Sequence, residues 1–232
     1  MNNYDPKTVS DVVIGSADGR YIIDEIINGS IPFPNAGKNG FLIYGPFGTG
    51  KTTLAKLLPA EIERLAGYPA PAAWFREADE DGVVNGKMLK SLATASQLVS
   101  LEGGYNHIII DELDLLSQNH QRKLRNIMNT PSAVFYYTTN DIHRIDGGVR
   151  NRCHEINLCA ADASCWLPLF SMILQDCGAS VPSDVTLLPL IDACNGSARD
   201  IINAAHVLAS KRIEAGLTQI AANSNAPDRD AA

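Results

Sequence analysis

The nine residues GPFGTGKTT, Gly45 to Thr53, constrain this chain more than any other stretch. They fit the phosphate-loop pattern G-x-x-x-x-G-K-[ST] at Gly45, Gly50, Lys51 and Thr52. A triphosphate carries several negative charges, and only an uncrowded backbone lets main-chain N–H groups converge on it. Glycines at 45, 48 and 50 permit such an anion-binding nest. Lys51 adds a cation for the β- and γ-phosphates, and the Thr52 hydroxyl is a Mg²⁺ ligand. The expected nucleotide contacts are therefore Gly45, Pro46, Phe47, Gly48, Thr49, Gly50, Lys51, Thr52 and Thr53. FLIY precedes the loop and TTLAKLLPAEIERLA follows, so it joins a strand to a helix N-terminus, whose dipole favours anions. That context separates a phosphate loop from a glycine-rich turn that binds nothing.

A second acidic element suits the first. HIIIDELD, residues 107–114, reads as a buried parallel strand ending in Asp111 and Glu112. Alone, such an ending is an exposed acidic turn. In open α/β sheets, however, ligands sit at the carboxyl ends of strands. There Asp111 is expected to bind Mg²⁺ and Glu112 to polarise the attacking water. A further strand, VFYYTTN, ends in Asn140, whose amide is a candidate to orient that water.

The rest of the chain reads as α/β, then helical. Val12, Val13 and Ile14 form a short β-prone piece, and Tyr21, Ile22, Ile23, Ile26 and Ile27 an apolar helical stripe. A second strand is expected at 72–75 and an acidic loop at 76–82, the latter most simply a solvated turn. A helix is expected from about Asn85 to Leu101 and another over 116–128. The latter carries His120, Arg122, Lys123 and Arg125, the densest positive charge in the sequence. From about 162 the pattern is helical only, with helices expected near 163–177, 183–194 and 197–214. The expected division is an α/β domain over 1–158, a helical domain over 159–215 and a flexible polar tail over 216–232.

Composition narrows the function classes. A net charge of -7 argues against broad nucleic-acid binding through overall charge, while leaving room for a local basic patch. Five cysteines with no C-x-x-C pair point to thiols in a reducing compartment rather than zinc or disulfides. The N-terminus has no signal-peptide pattern, and no apolar run reaches membrane-spanning length; the expected location is cytoplasmic.

YDPKTVSDVVIG, GPFGTGKTT, IIIDELD, YYTTN, NRC and GSARDIINAA, taken in order, resemble the AAA+ ATPases. Within them the likeness is to the small subunits of sliding-clamp loaders, the replication factor C type. It spans roughly residues 4–210 and stops before the collar domain that such subunits carry. It implies a five-stranded parallel sheet flanked by helices, a small all-helical lid, ATP hydrolysis with Mg²⁺, and action as an oligomer on DNA or on a DNA-bound protein such as a sliding clamp.

The resemblance also assigns roles. Asn140 matches sensor 1, and Arg152 matches the arginine finger that reaches a neighbouring subunit's γ-phosphate. Arg150 is a second candidate for the finger. Arg199, in GSARD, matches the sensor 2 arginine of the lid, a nucleotide contact in cis. Val12 and Val13 match the adenine pocket. Gln121 and Arg125 match positions on the helix that ties DNA contact to the acidic motif, so DNA is an expected partner through the helix carrying Gln121, Arg122, Lys123 and Arg125. Asn151 and Ser197 depart from the family motifs at neighbouring positions. An alternative reading is an ATP-gated DNA-binding regulator, as in transposition or defence, that recruits a partner protein.

Overall fold

The computed structural model describes residues 4–68, 73–78, 83–97 and 104–224. The chain divides after Ala161 into two compact units.

The first unit is built on five parallel strands, β1 (Gly40–Tyr44), β2 (Trp74–Glu77), β3 (Asn106–Asp111), β4 (Ala133–Thr139) and β5 (Cys153–Asn157). Their order across the sheet is β2-β3-β4-β1-β5. Parallel neighbours need crossovers, and the helices that supply them cover both faces. Side-chain alternation shows how one strand serves two cores. On β1, Leu42 packs with Ile108, Ile110, Phe135 and Tyr137 toward one face, while Phe41 and Ile43 join Ile109, Val134 and Tyr136 toward the other. Helices α3 (Val83–Gln97), α4 (Gln118–Ile127) and α5 (Gly147–Arg150) cover the first core through residues such as Leu92, Leu124 and Val149. Helices α1 (Ala17–Ile27) and α2 (Lys51–Ala66) cover the second through Ile23, Ile26, Leu54, Leu58 and Ile62. The three central strands β1, β3 and β4 are therefore mostly apolar, and β4 is buried at every position.

Among the described residues, the second unit is three helices, α6 (Ala163–Asp176), α7 (Asp184–Asp192) and α8 (Ala198–Ser224). Trp166, Phe170, Ile173, Leu187, Ile191, Ile201 and Ala205 are among its buried side chains.

Several expectations change. β2 lies two residues beyond the expected 72–75, because Arg76 and Glu77 pair with Ile110 and Asp111 while staying solvent-facing on the sheet edge. Val12 to Ile14 form no strand; they follow a 3-10 turn at Val9–Asp11, with Val12 extended, and lie outside the sheet. Tyr21 is 62% exposed, outside the stripe that Ile23 and Ile26 bury. α8 continues to Ser224, past 214 and into the stretch expected to be flexible. Parts of the expected turn at 67–72, acidic loop at 76–82, helix end near Leu101 and tail beyond 224 lie outside the described residues.

Candidate nucleotide site

The phosphate loop hangs between β1 and α2 as its sequence requires. Gly45 has φ 151°, and a Cβ there would run into the backbone oxygen of Leu158. Gly48 and Gly50 have φ 77° and 93°, conformations that L side chains rarely adopt. Gly50 is also the N-cap of α2 and supplies no capping side chain. The first-turn N–H groups of α2 are thus left for an anion, and no acidic residue stands in that turn to repel one. Thr49 braces the loop from inside, its hydroxyl donating to Pro46 O at 3.0 Å.

Lys51 is buried and donates from Nζ to Gly45 O (2.9 Å) and Pro46 O (2.6 Å). Burial pushes its pKa down, and the opposing carboxylates of Asp111, Asp114 and Glu112 hold the charge in place. Phe47, at the outer rim of the loop, is 74% exposed.

Across the sheet, β3 brings Asp111 to the same end. Thr52 Oγ1 lies 2.9 Å from both Asp111 Oδ1 and Asp111 Oδ2. Thr138, at the end of the neighbouring β4, donates to Asp111 Oδ1 and accepts from Glu112 N at 3.0 Å. A hydroxyl and a carboxylate in contact are the hard oxygen donors that Mg²⁺ takes when it shares its shell with phosphate oxygens and water. The residues therefore fit that ion.

Glu112 adopts a left-handed backbone, φ 55° and ψ 47°, uncommon for a residue with a side chain. Such strain persists only where surrounding structure over-determines it, and it clusters at working sites. Partial burial raises its carboxyl pKa, with Asp111, Glu77 and Asp114 adding repulsion and Lys51 opposing. Asp114 is buried and accepts from Thr139 Oγ1 (2.7 Å) and Asn140 N (3.4 Å), locking the ends of β3 and β4 together. Asn140 Oδ1 is a buried atom with no partner. A buried amide oxygen without a partner is a position for an incoming donor such as water.

The ATPase family associated with various cellular activities (AAA) matches residues 41–160, just over half of the chain. The chain belongs to the AAA ATPase family.

The AAA chain has relatives named as replication factor C subunits. It is 29% identical over 161 residues to replication factor C subunit 2 of Oryza sativa subsp. japonica, covering 66% of this chain and 45% of that protein. It is 30% identical over 162 residues to replication factor C subunit 4 of Arabidopsis thaliana, covering 66% and 46%. The chain thus spans about half the length of the curated relatives it matches. Among solved structures, a Thermotoga maritima RuvB variant superposes with a TM-score of 0.67 at 16% identity, covering 94% of this chain and 67% of that one. That likeness concerns the fold. Among the described residues, no helix is long and apolar enough to cross a membrane.

The remaining candidate residues of this AAA chain fall in different places. Val12 borders the loop: a Cβ built on Gly50 would stand 3.9 Å from Val12 Cγ1. Arg20 fixes that segment by donating from Nη2 to Val12 O at 2.8 Å. Arg152 is at the other end of the sheet. Asn39 N and Gly40 N both donate to Arg152 O at 3.1 Å, and the β1–β5 register pairs Gly40 with Cys153 and Tyr44 with Asn157. At about 3.3 Å per residue, the length of β1 separates Arg152 from the phosphate loop by about 13 Å or more. Arg150 is bound to Glu155 through Nε (2.9 Å) and Nη2 (3.1 Å), a hydrogen-bonded pair that raises its pKa further. Arg199 is exposed on the first turn of α8, in the second unit.

Gln121, on the helix expected to contact DNA, is fully buried and does not itself reach solvent. Its Nε2 donates to Leu116 O (2.9 Å) and Arg144 O (3.2 Å), and its Oε1 accepts from Asp146 N (2.6 Å). It is a clamp between the turn after β3 and the start of α5. Arg122 and Lys123 are exposed, and Arg125 is half-buried with Nη1 4.0 Å from Asp146. Sequence reasoning also passed over Thr138 and Asp114. Both are polar residues beside motif positions, but their role depends on β3 and β4 being neighbours, which no spacing reveals.

Proposed function

We propose that this chain binds ATP with Mg²⁺ and hydrolyses it as an AAA subunit of clamp-loader type, working in an oligomer on DNA. The observation that carries the reading is the contact of the Thr52 hydroxyl with both Asp111 oxygens, from residues 59 positions apart, at the mouth of a phosphate loop. In this reading Gly45 to Thr53 wrap the phosphates, Lys51 leaves the loop carbonyls for phosphate oxygens, and Val12 and Val13 meet the base. Thr52 and Asp111 hold Mg²⁺, which when bound neutralises charge on the β- and γ-phosphate oxygens. Glu112 takes a proton from the attacking water as its general base. Asn140 orients that water through its unpartnered amide oxygen.

Arg152 completes the site of a second chain. Its separation from its own loop supports a role in trans, and among the described residues its guanidinium meets only neutral acceptors, Asn129 Oδ1 and Gly148 O. Arg150 is neutralised by Glu155 and is the weaker candidate. The second unit, with Arg199, serves as the lid. Exposed Arg122 and Lys123 supply phosphate contacts on DNA. The relatives named as replication factor C subunits favour primer–template DNA and a sliding clamp as partners.

ATP hydrolysis measured against protein concentration, with and without DNA, tests the proposal. Turnover per chain should rise with concentration and rise again with primer–template DNA and a clamp. Stimulation by plain duplex alone would favour the DNA-binding regulator. Turnover independent of concentration would remove the shared site.

A further inference from the structure

Resting on the assignment of Arg152 as the residue that acts in trans, we propose that Asn129 is a positioning residue for that arginine, aiming its guanidinium while leaving its charge intact. Asn129 Oδ1 accepts from Arg152 Nε at 3.1 Å and from Nη2 at 2.9 Å, and Gly148 O accepts from Nη1 at 3.0 Å. A guanidinium has five N–H donors in a rigid plane. Three are held by neutral oxygens, which fixes the plane, and two remain for an anion. Among the described residues no ion pair involves Arg152, in contrast to Arg150 and its partner Glu155.

The support for Asn129 is itself built. It stands just past the end of α4, on a turn pinned by the side chain of Asn39, whose Nδ2 donates to Met128 O (2.8 Å), Ala133 O (3.2 Å) and Thr130 O (3.3 Å). The backbone N–H of the same Asn39 donates to Arg152 O. One buried residue thus sets both the arginine and the amide that aims it. Lys38 steadies the far side, donating from Nζ to Cys153 O (2.6 Å) and Asn151 O (3.3 Å), on either side of Arg152. Lys38, Asn129 and Arg152 all border one open cavity of about 530 Å³, which has room for an anion. A carboxylate in place of the amide would keep the hydrogen bonds and cancel the charge. The neutral amide is therefore the informative feature.

The test uses full-length chains and ATP. Asn129→Asp should lower kcat at least tenfold with KM for ATP and the thermal midpoint unchanged. Mixing it with Lys51→Ala, which lacks a working loop but has an intact Arg152, should restore hydrolysis at mixed interfaces. Neither chain alone should show that rate. If Asn129→Asp does not fold, Asn129→Ala carries the same test, with a smaller loss in kcat that mixing restores. A wild-type rate in these variants while Arg152→Ala is inactive and rescued by mixing would overturn the positioning role alone. A loss that mixing does not restore would overturn it too, marking a structural defect. A wild-type rate in Arg152→Ala would remove the trans assignment itself.

Discussion

Thr52 Oγ1 stands 2.9 Å from each carboxylate oxygen of Asp111, joining the helix after the phosphate loop to the end of the neighbouring-but-one strand. If this pair holds Mg²⁺ as proposed, its ligands are already in contact and need little reorganisation to take the ion. Asp111→Asn should therefore weaken Mg²⁺-dependent ATP binding by roughly ten- to a hundredfold, the scale seen when metal-site partners are lost. Titration with a fluorescent ATP analogue, with Mg²⁺ and with EDTA, measures it. Equal affinity in the two conditions would show that this pair holds no metal.

Glu112→Gln should reduce kcat by about a hundred- to ten-thousandfold, the usual contribution of a positioned general base. ATP binding should persist, because in the proposed role the side chain acts on water and not on the phosphates. Single-turnover hydrolysis and equilibrium binding separate the two. Turnover close to wild type would exclude Glu112 as the base.

Arg152 and Arg150 should behave differently. Arg152→Ala is expected to cost about a thousandfold in assembled turnover and to leave nucleotide binding intact. Arg150→Ala removes a partly exposed pair with Glu155 and should cost only about 0.2–1 kcal/mol of stability. Denaturant melts and concentration-dependent ATPase assays decide the assignment, and the reverse pattern would move the finger to Arg150.

A buried relay predicts a pH dependence of stability. His107 Nε2 meets Glu63 Oε1 at 2.7 Å and Nδ1 meets Tyr136 Oη at 2.8 Å. Burial lowers the pKa of His107, with Glu63 opposing, and burial lowers that of His154 as well. A histidine depressed in the folded state binds its proton more readily when unfolded. Stability should thus be full above the ordinary histidine value and fall as pH drops through about 6.5. Thermal midpoints between about pH 7.5 and pH 5.5 should decline, and His107→Gln should flatten part of that slope. An unchanged slope would exclude His107 as a source.

Exposed Arg122 and Lys123 predict salt-sensitive DNA binding. Replacing either with Ala should weaken binding across sequences and reduce the salt slope by about one. Gln121→Ala should instead lower stability, since it strips partners from buried backbone groups. Titrations at several salt concentrations test the first, thermal melts the second.

Much of the site was readable because its chemistry is local. Gly45, Gly48 and Gly50 mark a backbone that only glycine tolerates, and Asp111 with Glu112 closes an apolar run, so loop and acidic strand end both show in spacing. What escaped was non-local. Gln121 carries the polarity of a surface residue, yet its hydrogen bonds to Leu116, Arg144 and Asp146 make it core. Asn129 has no motif around it at all. β2 was displaced because its exposed Arg76 and Glu77 belong to a strand only through pairing with β3.

The sequence by itself determined the parallel α/β class, the phosphate loop, the acidic strand end and the helical second unit, since each rests on periodicity or backbone permission within a few residues. Tertiary structure alone decided the strand order. That order brings Thr138 and Asp114 to the carboxylates, sets Arg152 at the far end of β1, and hides Gln121 while leaving Arg122 and Lys123 outside. The reason is physical: burial and hydrogen-bond partnership are properties of neighbours in space, and a crossover connection hides which strands those neighbours are.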